Sequence, residues 1–183
     1  MNTNYQTMLE ELEGSSQSTP SNFKEPNWMI KIMVADKAIT KSSTEEYKEF
    51  SYIHDYKFVL TRGIESAGAH AIRPDGGLTA HDLKVIIPSS SITSAINVAF
   101  SENNEVSTIE LIRLALIKNK QDTVEAYTFT TCFVSGIITK GDILGLSFRY
   151  STIQRKQTEY EQNGTKGGSH TAEHNLIKST SAK

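Results

Sequence analysis

Five histidines and one cysteine are the side chains of this chain with the widest chemical repertoire, and their spacing limits what they can do. Two His-Asp pairs, His54-Asp55 and His81-Asp82, invite a metal-hydrolase reading. Both fall in stretches that alternate apolar and polar residues. On a strand, adjacent side chains point to opposite faces, so neither pair can close on one ion. The plainer reading is a histidine in a sheet beside a solvated aspartate. His170 and His174 lie four apart, a zinc spacing on a helix. Gly167-Gly168 and the β-like Thr171 region argue against a helix there, and no third ligand stands out. The sole cysteine, Cys132, excludes an intrachain disulfide and a Cys-rich metal site. It sits in an apolar β pattern and reads as a buried small hydrophobe rather than a nucleophile.

Other chemical motifs are missing. Ser66-Ala67-Gly68 and Gly76-Gly77 lack the Lys-Ser or Lys-Thr ending of a phosphate loop. No Gly-x-Ser-x-Gly elbow occurs. Arg62, Arg73, Lys118 and Lys120 are scattered, and a net charge of −2 gives no basic footprint for nucleic acid. The expectation is a protein that is not an enzyme and uses no cofactor or metal.

The elements that carry these residues are mostly strands. Trp28, Ile30, Ile32 and Val34 alternate over the first one. A second strand is expected over Phe50–Leu60, with Tyr52, His54, Tyr56 and Phe58 at period two. Arg62–Gly77 holds four glycines and a Pro-Asp-Gly-Gly turn, and reads as a long loop. His81–Ile87 returns to strand and Pro88 stops it. Over Ser89–Phe100 the period changes: Ile92, Ala95, Ile96 and Ala99 form one stripe, capped by Ser89, Ser90 or Ser91. Three long β segments follow, Ser107–Ile117, Thr123–Thr139 and Ile143–Ile153. Charged Lys118–Asp122 and Lys140-Gly141-Asp142 form the turns, and Gly136 marks a bulge. The tail carries turn signals at Asn163-Gly164 and Gly167-Gly168, then a short strand over Thr171–Ile177.

Seven or eight antiparallel strands with one helix predict a mainly β fold, an antiparallel β-barrel of two packed sheets flanked by a short α-helix. Hydrophobic residues make up 37% of the 183, a low share whose shortfall is expected in polar ends around an apolar middle. The divisions expected are a polar N-terminal arm over 1–27, a β domain over 28–178 and a tail over 179–183. The N-terminus shows no signal-peptide pattern, and no apolar run approaches the ~20 residues of a membrane span.

The order of elements resembles the haemolysin-coregulated protein family, Hcp, the tube subunits of type VI secretion systems. Its residues are His81-Asp82-Leu83-Lys84-Val85 running into Ser89-Ser90-Ser91-Ile92-Thr93-Ser94-Ala95-Ile96, then the Phe148-Arg149-Tyr150-Ser151-Thr152-Ile153 strand. The Gly164–Leu176 tail completes the likeness, with His174 where the family usually has a tryptophan. The resemblance implies a structural subunit forming hexameric rings that stack into a hollow inner tube, exported with effector proteins. Its partners would be further copies of itself and the sheath, baseplate and spike proteins of a contractile machine, with no nucleic acid and no membrane insertion. It would be made in the bacterial cytoplasm and secreted without a cleaved signal peptide. By position in the family, the ring-stacking loop is expected to include Arg62, Gly63, Gly68, His70, Arg73, Asp75, Gly76 and Gly77. Subunit contacts are expected at Thr171, Ala172, His174 and Leu176 of the last strand. A phage-type tail tube protein of the same architecture and a monomeric ligand-binding β-barrel are the alternatives.

Overall fold

The computed structural model describes residues 27–42, 44–62, 65–66, 72–73, 78–161 and 164–176. The N-terminal arm, the extreme C-terminus, Ser43, Gln162 and Asn163 lie outside them, as does most of 63–77. Fourteen strands run in chain order: β1 (Asn27–Val34), β2 (Lys37–Ala38), β3 (Ser51–Tyr52), β4 (Asp55–Lys57), β5 (Leu60–Arg62), β6 (Glu65–Ser66), β7 (Ile72–Arg73), β8 (Leu78–Ala80), β9 (Leu83–Pro88), β10 (Val106–Ile117), β11 (Lys120–Lys140), β12 (Ile143–Arg149), β13 (Thr152–Tyr160) and β14 (Lys166–Asn175). The helix α1 (Ala95–Ser101) lies between β9 and β10.

The pairing closes on itself. β1 pairs with β10, β10 with β11, β11 with β12, β12 with β9 and β9 with β4. β3 pairs back onto β1. Ile53 N–H donates to Trp28 O and His54 N–H to Ile86 O, so the corner between β3 and β4 carries the chain from one sheet to the other and shuts the barrel. Closure leaves the sheet fewer exposed edges.

Period-two patterning explains what fills it. Ile30 and Ile32 of β1, Leu83, Val85 and Ile87 of β9, Ile109 and Leu111 of β10, and Phe129, Leu146 and Phe148 are all at most 1% exposed. Each such side chain, fully buried, stabilises by about 1.5–3 kcal/mol against the entropy of ordering it. The interior is thus a packed core, as in other small barrels. A second, smaller cluster forms on the outer face, where Met29, Ile112 and Leu114 are covered by Tyr47 and Phe50 of the β2–β3 connection.

β11 is the longest strand, 21 residues. Its first half lies between β10 and β13, and its second half pairs with β12. At the change, Thr131 has φ +50°, a conformation β-branched residues rarely adopt. The register shifts between Val134 and Gly136, the expected bulge. The β10–β11 turn is tighter than the charged run implied. Lys118 and Asn119 alone form it, both at positive φ, and Lys120–Asp122 already belong to the strand.

Several expectations change. The Phe50–Leu60 strand is broken into β3, β4 and the start of β5, because the chain must turn the barrel corner. The stretch read as a long loop contains one strand pair, β6 with β7, and is bracketed by another, β5 with β8. The helix begins at Ala95 rather than in the serine run. Ser89–Ser91 form a 3-10 turn, and Ile92 makes a β-bridge to Thr40. None of the three serines caps α1, and Ser91 Oγ donates instead to Pro88 O at 2.6 Å. The last strand starts at Lys166, so Gly167-Gly168 lie within it and not in a turn. Ile143–Ile153 divides at Tyr150-Ser151, where β12 and β13 part to join different neighbours.

Candidate functional site

β14 is unlike every other long strand. Its first nine residues, Lys166–His174, are exposed, and it pairs with β13 and no other strand among the described residues. Thr171, Ala172 and His174 therefore sit on a sheet edge that has no second partner among the described residues, with their side chains exposed. Leu176 follows it and turns back to pack on the main core, its N–H donating to Ser151 O. Expected ring-stacking residues divide differently. Arg62 ends β5 and is exposed, and Arg73 is on β7. Gly63, Gly68, His70, Asp75, Gly76 and Gly77 lie outside the described residues. The β5–β8 and β6–β7 pairs are separate from the sheet that holds β14, so the structure does not join the two groups in one sheet.

The His-Asp pairs have structural surroundings. Asp82 accepts from Ser135 Oγ at 2.6 Å and faces Arg149 at 3.3 Å. His81 is exposed, with its N–H donating to Val59 O. His170 approaches Glu159 at 3.5 Å across β13–β14. Among the described residues, no group of three or more His, Cys, Asp or Glu converges as a metal site would need. Cys132 is fully buried, and burial first, with the charge of Glu105 second, pushes its thiol up to about 12. It fits the reading of an inert core residue.

A charged cluster on β10, β11 and β13 was not foreseen. Glu125 is 7% exposed. Its Oε1 accepts from Arg155 Nε at 2.9 Å and Nη2 at 2.6 Å, and from Tyr127 Oη at 2.9 Å. Its Oε2 lies 3.2 Å from Arg113 Nε. Burial acts to raise the carboxyl's pKa, but the bonds from Arg155 and Tyr127 and the charges of both arginines outweigh it and hold the group below the usual carboxylate range. Burial raises Tyr127, which also donates to the carboxylate. Arg155 lies 5.7 Å over the Tyr127 ring, and Tyr127 belongs to an aromatic group with Trp28, Tyr56 and Phe58. Glu125 and Tyr127 are two apart and share a strand face, which the sequence does show. Their pairing with Arg155 depends on the β11–β13 register, which it does not.

Fold and site together describe a small closed antiparallel barrel with a flanking helix and one strand, β14, that pairs only with β13 among the described residues. No protein-family model matches the chain, and no curated protein matches its sequence. Solved structures do match. One described as a type six secretion system protein has 18% identity and a TM-score of 0.72, covering 84% of this chain and 98% of its own. Hcp1 from Salmonella typhimurium has 14% identity and a TM-score of 0.60, over 84% and 97%. Secreted protein Hcp3 from Pseudomonas aeruginosa has 10% identity and a TM-score of 0.57, over 83% and 99%. The chain has the Hcp fold.

Proposed function

We propose that this protein is a structural subunit of a type VI secretion inner tube, assembling as hexameric rings that stack into a hollow tube. The observation that carries the reading, beside the fold, is β14: ten residues of strand, nine of them exposed, with one edge unpaired among the described residues. Such an edge is an aggregation liability in a monomer and a ready interface in an assembly. A ring needs two different surfaces that meet head to tail. On the opposite side of the sheet from β14 lie β2 and the barrel corner at β3, beside β1, so one subunit offers two non-equivalent surfaces. Thr171, Ala172 and His174 then lie in the subunit contact. Arg62 and Arg73, on the β5–β8 and β6–β7 strands, lie in the ring-to-ring contact with the rest of 63–77. The subunit would be exported with effectors and meet sheath, baseplate and spike proteins. The barrel interior is filled by Phe129, Phe148 and the aliphatic core, which speaks against a monomeric barrel that holds its ligand inside.

Negative-stain electron microscopy of the purified full chain tests this. Six-fold rings with a central hole, or stacks of them, are expected. Small featureless particles at high protein concentration, with a monomer mass in sedimentation, would refute it.

A further inference from the structure

Beside β3 and the end of β9, an open pocket of about 380 Å³ is lined by Lys41, Ser42, Ser51, Tyr52, Pro88, Ser90 and Ser91. Its hydrogen bonds decide what it can hold. Ser51 Oγ donates to Ser91 Oγ at 2.6 Å, and Ser91 Oγ donates to Pro88 O at 2.6 Å. Both protons are therefore spent inside the wall, and this pair serves as a rigid floor. Ser42 differs, because its Oγ accepts from Thr44 N–H at 3.1 Å and its own proton remains free. Neither the Lys41 ammonium nor the Ser90 hydroxyl has a partner among the described residues. Tyr52 Oη shares a 3.3 Å contact with Thr44 Oγ1 at the rim.

Lys41, Ser42 and Ser90 thus present one cation and two hydroxyl donors to the same space, and no carboxylate of the described residues lines it. A lining with spare donors and a positive charge selects a ligand that only accepts. We propose that this pocket binds an oxyanion, a phosphate or carboxylate group, held by Lys41 with Ser42 and Ser90. The volume exceeds that of inorganic phosphate alone and leaves room for the group that carries the anion. Because the pocket borders β3, on the opposite side of the sheet from β14, the anion has two sources: a free organic anion, or an acidic side chain of a second copy.

Isothermal titration calorimetry of the full chain with inorganic phosphate, at constant ionic strength, tests the site whatever the assembly state. Saturable binding is expected. It should weaken by about tenfold to a hundredfold in Lys41→Met, the loss of a charge-assisted bond, and by a smaller factor in Ser90→Ala. Both residues are at the surface, so the melting temperature of the unliganded variants should match that of the parent. No saturable heat, or equal binding by Lys41→Met, overturns the proposal. Once binding is seen, sedimentation velocity with and without phosphate separates the sources. A fall in assembly mass identifies a neighbouring copy's carboxylate displaced by phosphate, and an unchanged mass identifies a free anion. Neither readout depends on hexameric rings, so failure of the tube reading and failure of this one are distinct results.

Discussion

Substituting Glu125 by alanine removes the acceptor shared by Arg155 and Tyr127 and the negative charge beside Arg113, and leaves both guanidinium groups without their counter-charge. The carboxylate is 9% exposed in its side chain, so the parent protein has already incurred its desolvation cost. Breaking a fully buried pair costs about 3–5 kcal/mol. Here the arginines are 35% and 50% exposed, so part of their charge returns to water and the figure must be discounted. An expected loss of roughly 2–3 kcal/mol follows, or about 5–10 °C in melting temperature for a domain of this size. Urea denaturation followed by the fluorescence of Trp28, whose ring lies 6.1 Å from that of Tyr127, reads it directly. Protein concentration must be held fixed, because self-association would add its own stability. Acid supplies a second check. The folded carboxyl titrates below its unfolded value, so its contribution is complete above the ordinary carboxylate pKa of about 4.3 and is lost as pH falls through the folded pKa. The gap between the parent and Glu125→Gln should be constant near neutrality and close in acid. An alanine variant within about 0.5 kcal/mol of the parent, or a gap that widens in acid, would refute the reasoning.

Two further outcomes are expected. Cys132, buried with its thiol pushed up to about 12, should not react with a thiol reagent at pH 8 in the native protein and should react fully in denaturant; rapid native labelling would contradict its core placement. Gly164 has φ +74°, and a Cβ there would approach Lys118 Cε to 2.9 Å. The lysine can swing away but the backbone cannot, so Gly164→Ala should cost about 1–2 kcal/mol in urea melts, and a neutral result would contradict the turn geometry.

Where the sequence predicted well, the residues faced a single environment. Ile30 and Ile32, or Leu83, Val85 and Ile87, alternate because one side of each strand meets the core, and period two records that directly. The resemblance to Hcp rested on the order of such elements, and the fold agrees with it. Prediction failed where tertiary contacts overrode local pattern. Ile92 has the spacing of a helical stripe but is drawn into a bridge with Thr40, on the connection that runs toward β3. Phe50–Leu60 alternates as if continuous, although a barrel corner cuts it at Ile53-His54. Gly167-Gly168 reads as a turn by composition, and only the pairing with β13 makes it strand. The Glu125 cluster was illegible for a similar reason: its two arginines come from strands 42 positions apart, Arg113 and Arg155, brought together by register alone.

β11 belongs to both sheets, on either side of the kink at Thr131. Neither sheet can come apart without breaking that common strand. Opening should therefore be all-or-none, with no half-unfolded species in which one sheet survives. Amides of β11 on both sides of Thr131, such as those of Phe129 and Val134, should exchange with solvent hydrogen only through global opening and at one shared free energy. A subunit that unfolds this way keeps its core intact under local stress on the exposed β14, because fraying at that edge has no path into the barrel short of complete collapse.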